Sequence, residues 1–330
     1  TTLFRSTVAF APISPTFVLA LARDIRKQRP DILHIHMPNV SAFWCLVLPR
    51  AWRIPWVMHW HADVLASTHS RALRLLYRFY RPLEQALLRR AARIIATSPP
   101  YLDSSAPLAA HRQRCTAIPL GIAARPAFWS IGRRIGQPAP LSETGTSAQP
   151  EAAQSEGNGG SVVDATAVVP EPKSHPSAPG LAVLCIGRLT YYKGICHLIE
   201  AVARLENVSL TIVGSGDEAA DLEAQTRRLG IEERIDFGGE LSDEALQIEL
   251  ARCDCLCLPS VERTEAFGLV LLEAMRAGRA TVATDVPGSG MGWVLEDGVT
   301  GRLVEREDAD ALAYALKTLR DDPVGRRQMG

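Results

Sequence analysis

The chain has 330 residues, 47% hydrophobic and 22% charged. That is room for two ordinary domains, and no run of about 18 apolar residues marks a membrane span. The zero formal net charge is a cancellation: residues 1–127 carry 17 Lys and Arg against 5 Asp and Glu, or +12, and the rest carries −12, so an anionic ligand or surface is expected at the first half. Seven cysteines without a CxxC pair argue against a disulfide framework and a zinc site and fit a reducing, cytoplasmic setting. No signal-peptide order of charged, apolar and cleavage regions opens the chain.

In chain order, "FVLALARDIRKQRP" predicts a helix ended by Pro30, "DILHIHMP" a strand, and the stretch from Val40 a helix. The strand "WVMHWHADV", an Arg-rich helix over about 70–92, the strand "RIIATSP" and "CTAIPLGI" complete a β-α-β rhythm. The Pro/Gly/Ser/Ala/Glu-rich stretch 128–178 has too little apolar surface to offset the entropy of ordering and is predicted to be a disordered linker or insertion. From 179 the rhythm resumes. The strands are "LAVLCIG", "VSLTIVG", "RIDFGG", "CLCLPS", "ATVATDVP" and "GRLVER". Between them lie helices with expected caps at Gly230 and Ser242 and one starting near Ala266, and "DADALAYALKTLR" ends the series. The fold class is α/β: two Rossmann-like doubly wound units, 1–127 and 179–330, joined by 128–178. Cys253, Cys255 and Cys257 alternate, which on a strand puts all three on one core-facing side.

Two motifs are discounted on physical grounds. Gly214, Gly216 and Ala219, with Asp236 further on, resemble a dinucleotide fingerprint, but Asp217 and Glu218 would repel a pyrophosphate at that helix start. Asp308 and Asp310 have the spacing of a metal–diphosphate pair, yet the same residues suit the first turn of a helix, so no metal is assigned.

Two others carry chemistry. In "IGRLTYYKG", Arg188 and Lys193 follow a strand, with Gly187 and Gly194 allowing close backbone approach; two cations at a strand's carboxyl end suit a diphosphate. In "VERTEAFGLVLLEAMRAG", the amides of Phe267, Gly268 and Leu269 are expected to open a helix and bind an anion. Glu265 stands at that mouth, and Glu273 follows on nearly the same helical face, about 80° past two turns.

Together these stretches resemble a family 4 glycosyltransferase of the GT-B fold, loosely over the first 125 residues and closely over about 180–320, with Glu-x7-Glu in "EAFGLVLLE" the strongest element and "PGSGMGWVLEDGVTGRLV" in support. The resemblance implies roles. Arg188 and Lys193 bind the donor diphosphate, with Gly187 beside them. Glu265 meets hydroxyls of the transferred sugar, and the amides of Phe267, Gly268 and Leu269 contact sugar and phosphate. Glu273 binds the ribose, and the turn at Gly239 lies beside the base. The strand "WVMHWHADV" resembles the one whose terminal histidine contacts the donor sugar, which maps to His61 with His59 as rival; His34, His36 and Ser98 receive no chemistry. The reaction implied is hexose transfer from a GDP- or UDP-sugar to a glycan or lipid-linked acceptor, with retention of configuration and without cofactor or metal. GDP-mannose-type donors and bacterial polysaccharide or lipopolysaccharide synthesis fit best. Set against the family, both ends look truncated and the insertion long.

Residues 71–93 carry seven Arg against Glu84, interleaved with leucine and aromatic residues, a pattern suited to peripheral docking on the anionic inner face of a plasma membrane. Nothing points to nucleic acid. The alternatives are a non-catalytic nucleotide-sugar-binding or scaffold protein and a nucleotide-sugar epimerase, with an NAD-dependent oxidoreductase more remote.

Overall fold

The computed structural model describes residues 6–8, 11–13, 16–65, 71–122 and 180–330, and the predicted linker at 128–178 lies outside them. A short antiparallel pair, β1 (Ser6–Val8) with β2 (Ala11–Ile13), comes first. Next are β3 (Leu33–Met37), β4 (Trp56–Trp60), β5 (Arg93–Ala96) and β6 (Cys115–Ala117), which form a four-stranded parallel sheet in sequential order. Its core is Ile35, Met37, Trp56, Met58, Trp60 and Ile94, packed with Leu87 and Leu88 of the helix Arg71–Arg90. The helix expected from Val40 is a 3-10 turn followed by a single α-turn, Trp44–Val47.

The second sheet contains β7 (Leu181–Ile186), β8 (Val208–Val213), β9 (Ile235–Gly239), β10 (Cys255–Leu258), β11 (Ala280–Asp285) and β12 (Gly301–Glu305), in the order β12-β11-β10-β7-β8-β9. All neighbours are parallel. Runs such as "LAVLCI" and "CLCL" are apolar at successive positions because both faces are covered. One core cluster lies on each face. This is the doubly wound order, with its switch point between β7 and β10, where the loops diverge and open a crevice beyond the strand ends.

The predicted caps form. Gly230 closes its helix in the left-handed region, the Ser242 hydroxyl accepts from the Ala245 amide at 3.3 Å, and Asp308 accepts from the Asp310 and Ala311 amides at 2.9 Å. The cysteine expectation is corrected. β10 starts at Cys255, so Cys253 lies just before the strand and packs in a different cluster from Cys255 and Cys257. Burial pushes all three thiols up, Cys253 to about 12.

Candidate active site

The loops after β7 and β10 flank the switch point and carry Arg188, Lys193 and Glu265. Lys193 is only 9% exposed, and its Nζ donates to Glu265 Oε2 at 2.6 Å, joining residues 72 positions apart. Burial works to lower the ammonium pKa, but the adjacent Glu265 carboxylate outweighs it and holds Lys193 above its ordinary value. Gly187 makes room for this arrangement: a Cβ there would lie 2.8 Å from Lys193 Nζ. Arg188 is exposed on the same loop, with Nη2 3.3 Å from the Tyr192 hydroxyl.

The discounted dinucleotide motif has another use in the same place. A Cβ on Gly214 would lie 2.0 Å from the Gly187 carbonyl, and one on Gly216 2.2 Å from that of Leu189. These glycines let the loop after β7 cross the one after β8, where Leu189 N bonds Ser215 O at 2.9 Å. They hold protein backbone where the fingerprint would hold a pyrophosphate.

The helix predicted from Ala266 starts at Leu269, because Ala266 and Phe267 are buried as anchors and Gly268 caps the helix at φ 79°. Ala266 joins the core of the four-stranded sheet, so the loop after β10 is pinned to the first half of the chain. The Gly268 amide already donates to Glu265 Oε1 at 3.2 Å, so it is not an unused donor. Glu265 therefore precedes the helix, and the expected shared face with Glu273 does not exist. Both oxygens of Glu265 are engaged, one by Lys193 and one by Gly268. Glu273 sits within the helix Leu269–Arg276, where burial raises its pKa, Arg276 lowers it and Asp243 raises it. Gly239 ends β9 at φ 62°, and its carbonyl accepts from Gly214 N at 2.7 Å.

On the first half, His61 extends the ladder of β4 by donating its amide to Met37 O at 2.8 Å. Burial, and then His59, His36 and His34, lower its imidazole pKa to about 4. Two residues on is Asp63, which sequence reasoning missed. It accepts from Trp60 Nε1 at 2.8 Å and Ser105 Oγ at 2.7 Å, and its Oδ2 from Arg263 Nη1 at 2.7 Å. The Arg263 guanidinium lies 4.5 Å over the ring of Tyr101, whose hydroxyl accepts from the Asp63 amide. A sequence signal existed: Asp63 and Arg263 each lie two residues from a predicted site residue, His61 and Glu265. A second bridge, missed as well, runs from Ser104 Oγ to the Gly288 carbonyl at 3.1 Å, inside the quoted "PGSGMGW" stretch.

The molecule is thus a pair of parallel α/β sheets with a buried ion pair at the switch point of the second and a histidine-bearing strand end on the first. That is the GT-B architecture. Comparison with known proteins gives the family. The glycosyl transferase 4-like domain matches residues 4–121 and glycosyl transferases group 1 match residues 172–330. Between them they take in most of the chain, which belongs to the family 4 glycosyltransferases.

The chain is similar to D-rhamnosyltransferase WbpZ of Pseudomonas aeruginosa, 26% identical over 96% of this chain and 72% of that protein. It is also similar to O-antigen chain mannosyltransferase C of Escherichia coli, 26% identical over 80% of this chain but only 58% of that protein. Among solved structures, sucrose-phosphate synthase from Thermosynechococcus elongatus matches with TM-score 0.69 and 22% identity, covering 98% of this chain and 75% of that one. Anabaena HepE in complex with UDP and glucose matches with TM-score 0.66 and 21% identity, covering 95% and 74%. These structural likenesses concern the fold.

Proposed function

We propose that the protein transfers a hexose from a nucleotide-diphosphate sugar to a glycan or lipid-linked acceptor, with retention of configuration and without a catalytic metal. The observation that carries this reading is the buried Lys193–Glu265 pair at the switch point. As the bond from sugar to phosphate breaks, negative charge grows on the diphosphate. Lys193 has three N–H donors and Glu265 takes one, so the others serve the phosphate oxygens, with Arg188 on the same loop. Glu265, held by Lys193 and the Gly268 amide, is a rigid acceptor for sugar hydroxyls and acts as a positioning group rather than a proton donor. Glu273 is assigned the ribose, Gly239 the base side, Phe267 and Leu269 the sugar-phosphate side, and His61 the sugar near the reacting carbon. The departing phosphate takes the acceptor's proton on the face it leaves. The rhamnosyl- and mannosyltransferase relatives favour a deoxyhexose or mannose-type donor and a bacterial surface polysaccharide.

The test is transfer and donor hydrolysis over a panel of GDP-, UDP- and ADP-sugars with EDTA-treated protein, reading the product anomer by NMR. Turnover of one donor with retention supports the proposal. Donor binding without turnover would favour the non-catalytic reading.

No helix of the described residues is long and apolar enough to cross a membrane. The helix Arg71–Arg90 instead exposes Leu75 (65%), Leu76 (54%) and Phe79 (72%) among arginines while Leu87 and Leu88 are buried. We read this outer face as docking on an anionic bilayer at the inner side of the plasma membrane. Sedimentation with vesicles containing anionic lipid, lost in high salt and in Leu75→Ser/Phe79→Ser, is the expected result.

A further inference from the structure

Four of the chain's eight histidines meet at one place. β3 and β4 run parallel with His36 opposite His59. The two-residue strand period then sends His34, His36, His59 and His61 to one face, while Ile35, Met37, Met58 and Trp60 build the core on the other. Three rings stack, with centroids 4.3 Å apart for His59–His61, 5.1 Å for His36–His61 and 5.4 Å for His36–His59, and His34 lies tilted against His36 at 4.5 Å.

Packing does not explain this choice of residue, since the core of the sheet is made by the alternate positions. Imidazole carries two ring nitrogens that need partners. His36 Nδ1 and His61 Nε2 satisfy one another at 2.8 Å. His59 Nε2 is buried with no hydrogen-bond partner among the described residues. A buried polar atom left in this way points to a missing ligand.

We propose that His36, His59 and His61 form a binding site for a first-row divalent transition metal ion of the Zn2+ type. One nitrogen of each residue lies within 4.8 Å of the other two. Three imidazoles at about 2.0–2.1 Å around a tetrahedral ion have nitrogens roughly 3.4 Å apart. Small side-chain rotations therefore close the site: His59 moves in, and His36 and His61 separate slightly as the ion replaces the proton they share. An all-imidazole set selects Zn2+, Co2+, Ni2+ or Cu2+ over Mg2+ and Ca2+, which prefer oxygen. His36 is exposed, which provides the entry path, and the tilted ring of His34 packs against it at 4.5 Å and restrains it. Three protein ligands leave the fourth position for water.

A consequence follows that rests on the function proposed above. His61 cannot bind the ion and contact the donor sugar with the same nitrogen, so the ion inhibits transfer, and metal-free catalysis and a metal site coexist in one molecule.

The test uses the tag-free 330-residue chain. Co2+ titration followed by visible absorption, and Zn2+ competition against a chromogenic chelator, should give one ion per chain with tetrahedral bands and a Zn2+-dependent rise in Tm. His59→Ala and His36→Gln should each weaken binding by more than about 100-fold. Two variants at different positions guard against one that fails to fold, with metal-free Tm as the check. Absence of stoichiometric binding by the parent chain, or binding unchanged in both folded variants, overturns the site. Zn2+ inhibition of transfer that weakens in His59→Ala supports the competition with donor. Zn2+ binding without inhibition overturns that competition and leaves the site standing. A chain that binds Zn2+ but turns over no donor sinks the proposed function, not the site.

Discussion

The two sheets treat charge differently. Around the six-stranded sheet, shielded charges are paired: buried Lys193 with Glu265, and half-buried Arg326 with Asp254 at 2.8 Å. Around the four-stranded sheet Asp63 is paired, by Arg263 at 2.7 Å, but Glu84 and His59 lack such complete partners among the described residues. Glu84 is fully buried in the helix Arg71–Arg90 with one oxygen on the Tyr77 hydroxyl at 2.6 Å and the other unpaired, and four histidine rings lie against one another. The first arrangement is a preorganised site whose electrostatics are set before ligand arrives. The second holds groups whose hydrogen bonds are incomplete, and incompleteness in a buried place costs stability unless a ligand or a proton restores it. Arg263 links the two by reaching Asp63 from the loop that also carries Glu265.

Removing the paired charge tests the preorganised half most severely. Glu265→Gln leaves the Lys193 ammonium buried without a counter-charge, so transfer should fall by at least about 100-fold and stability by roughly 2–3 kcal/mol. Full turnover by this variant, measured as product release, would sink the role given to Glu265.

The unpaired half should respond with the opposite sign. Burial raises the Glu84 pKa from 4.5 to about 7, only partly opposed by the Tyr77 hydrogen bond. Between those values the folded state keeps a proton that the unfolded state releases. The stabilisation is complete below the unfolded pKa and is lost as pH rises through the folded one, by about 3 kcal/mol in all. Glu84→Gln should match the parent at pH 4 and exceed its stability by that amount at pH 8. Urea unfolding at the two pH values is the measurement, and a variant less stable at pH 8 would refute the account.

The link between the halves should give a smaller effect. A double-mutant cycle over Asp63→Asn and Arg263→Met is expected to return a coupling of about 1–2 kcal/mol in unfolding. A coupling near zero would make the 2.7 Å contact incidental. Smallest of all in transfer, Gly187→Ala displaces the flexible end of Lys193 and strains a backbone at φ 154°, so transfer should drop about tenfold, about 1.4 kcal/mol, with a moderate fall in Tm. Unchanged transfer in the folded variant would show that Gly187 does not make room for Lys193.

The elements were legible where a local rule set them. The apolar runs of β7, β8, β10 and β11, the cap at Ser242 and the left-handed stop at Gly230 all appear near their predicted positions. Arg188, Lys193 and Glu265 were placed at strand ends for the same reason, since a strand followed by a glycine turn and a helix is a local pattern. The errors fell where a distant contact overrode a local pattern. "EAFGLVLLE" reads as helix from its second residue, but burial of Ala266 in the core of the other sheet unwinds that turn and moves Glu265 off the helix. Cys253 alternates with Cys255 and Cys257 but lies before the strand begins.

By itself the sequence determined the alternation of strands and helices, the family and the residue types available at each strand end, because these depend on spacing along the chain. Only the tertiary structure decided the partners. Lys193 meets Glu265 72 residues away because β7 and β10 are neighbours in the sheet, and Asp63 meets Arg263 200 residues away. His36 meets His59 because β3 and β4 pair in one register rather than the next. A one-residue slip would turn those rings into the core and the apolar residues Ile35, Met37, Met58 and Trp60 out of it, so burial of that face against the rest of the fold holds the register.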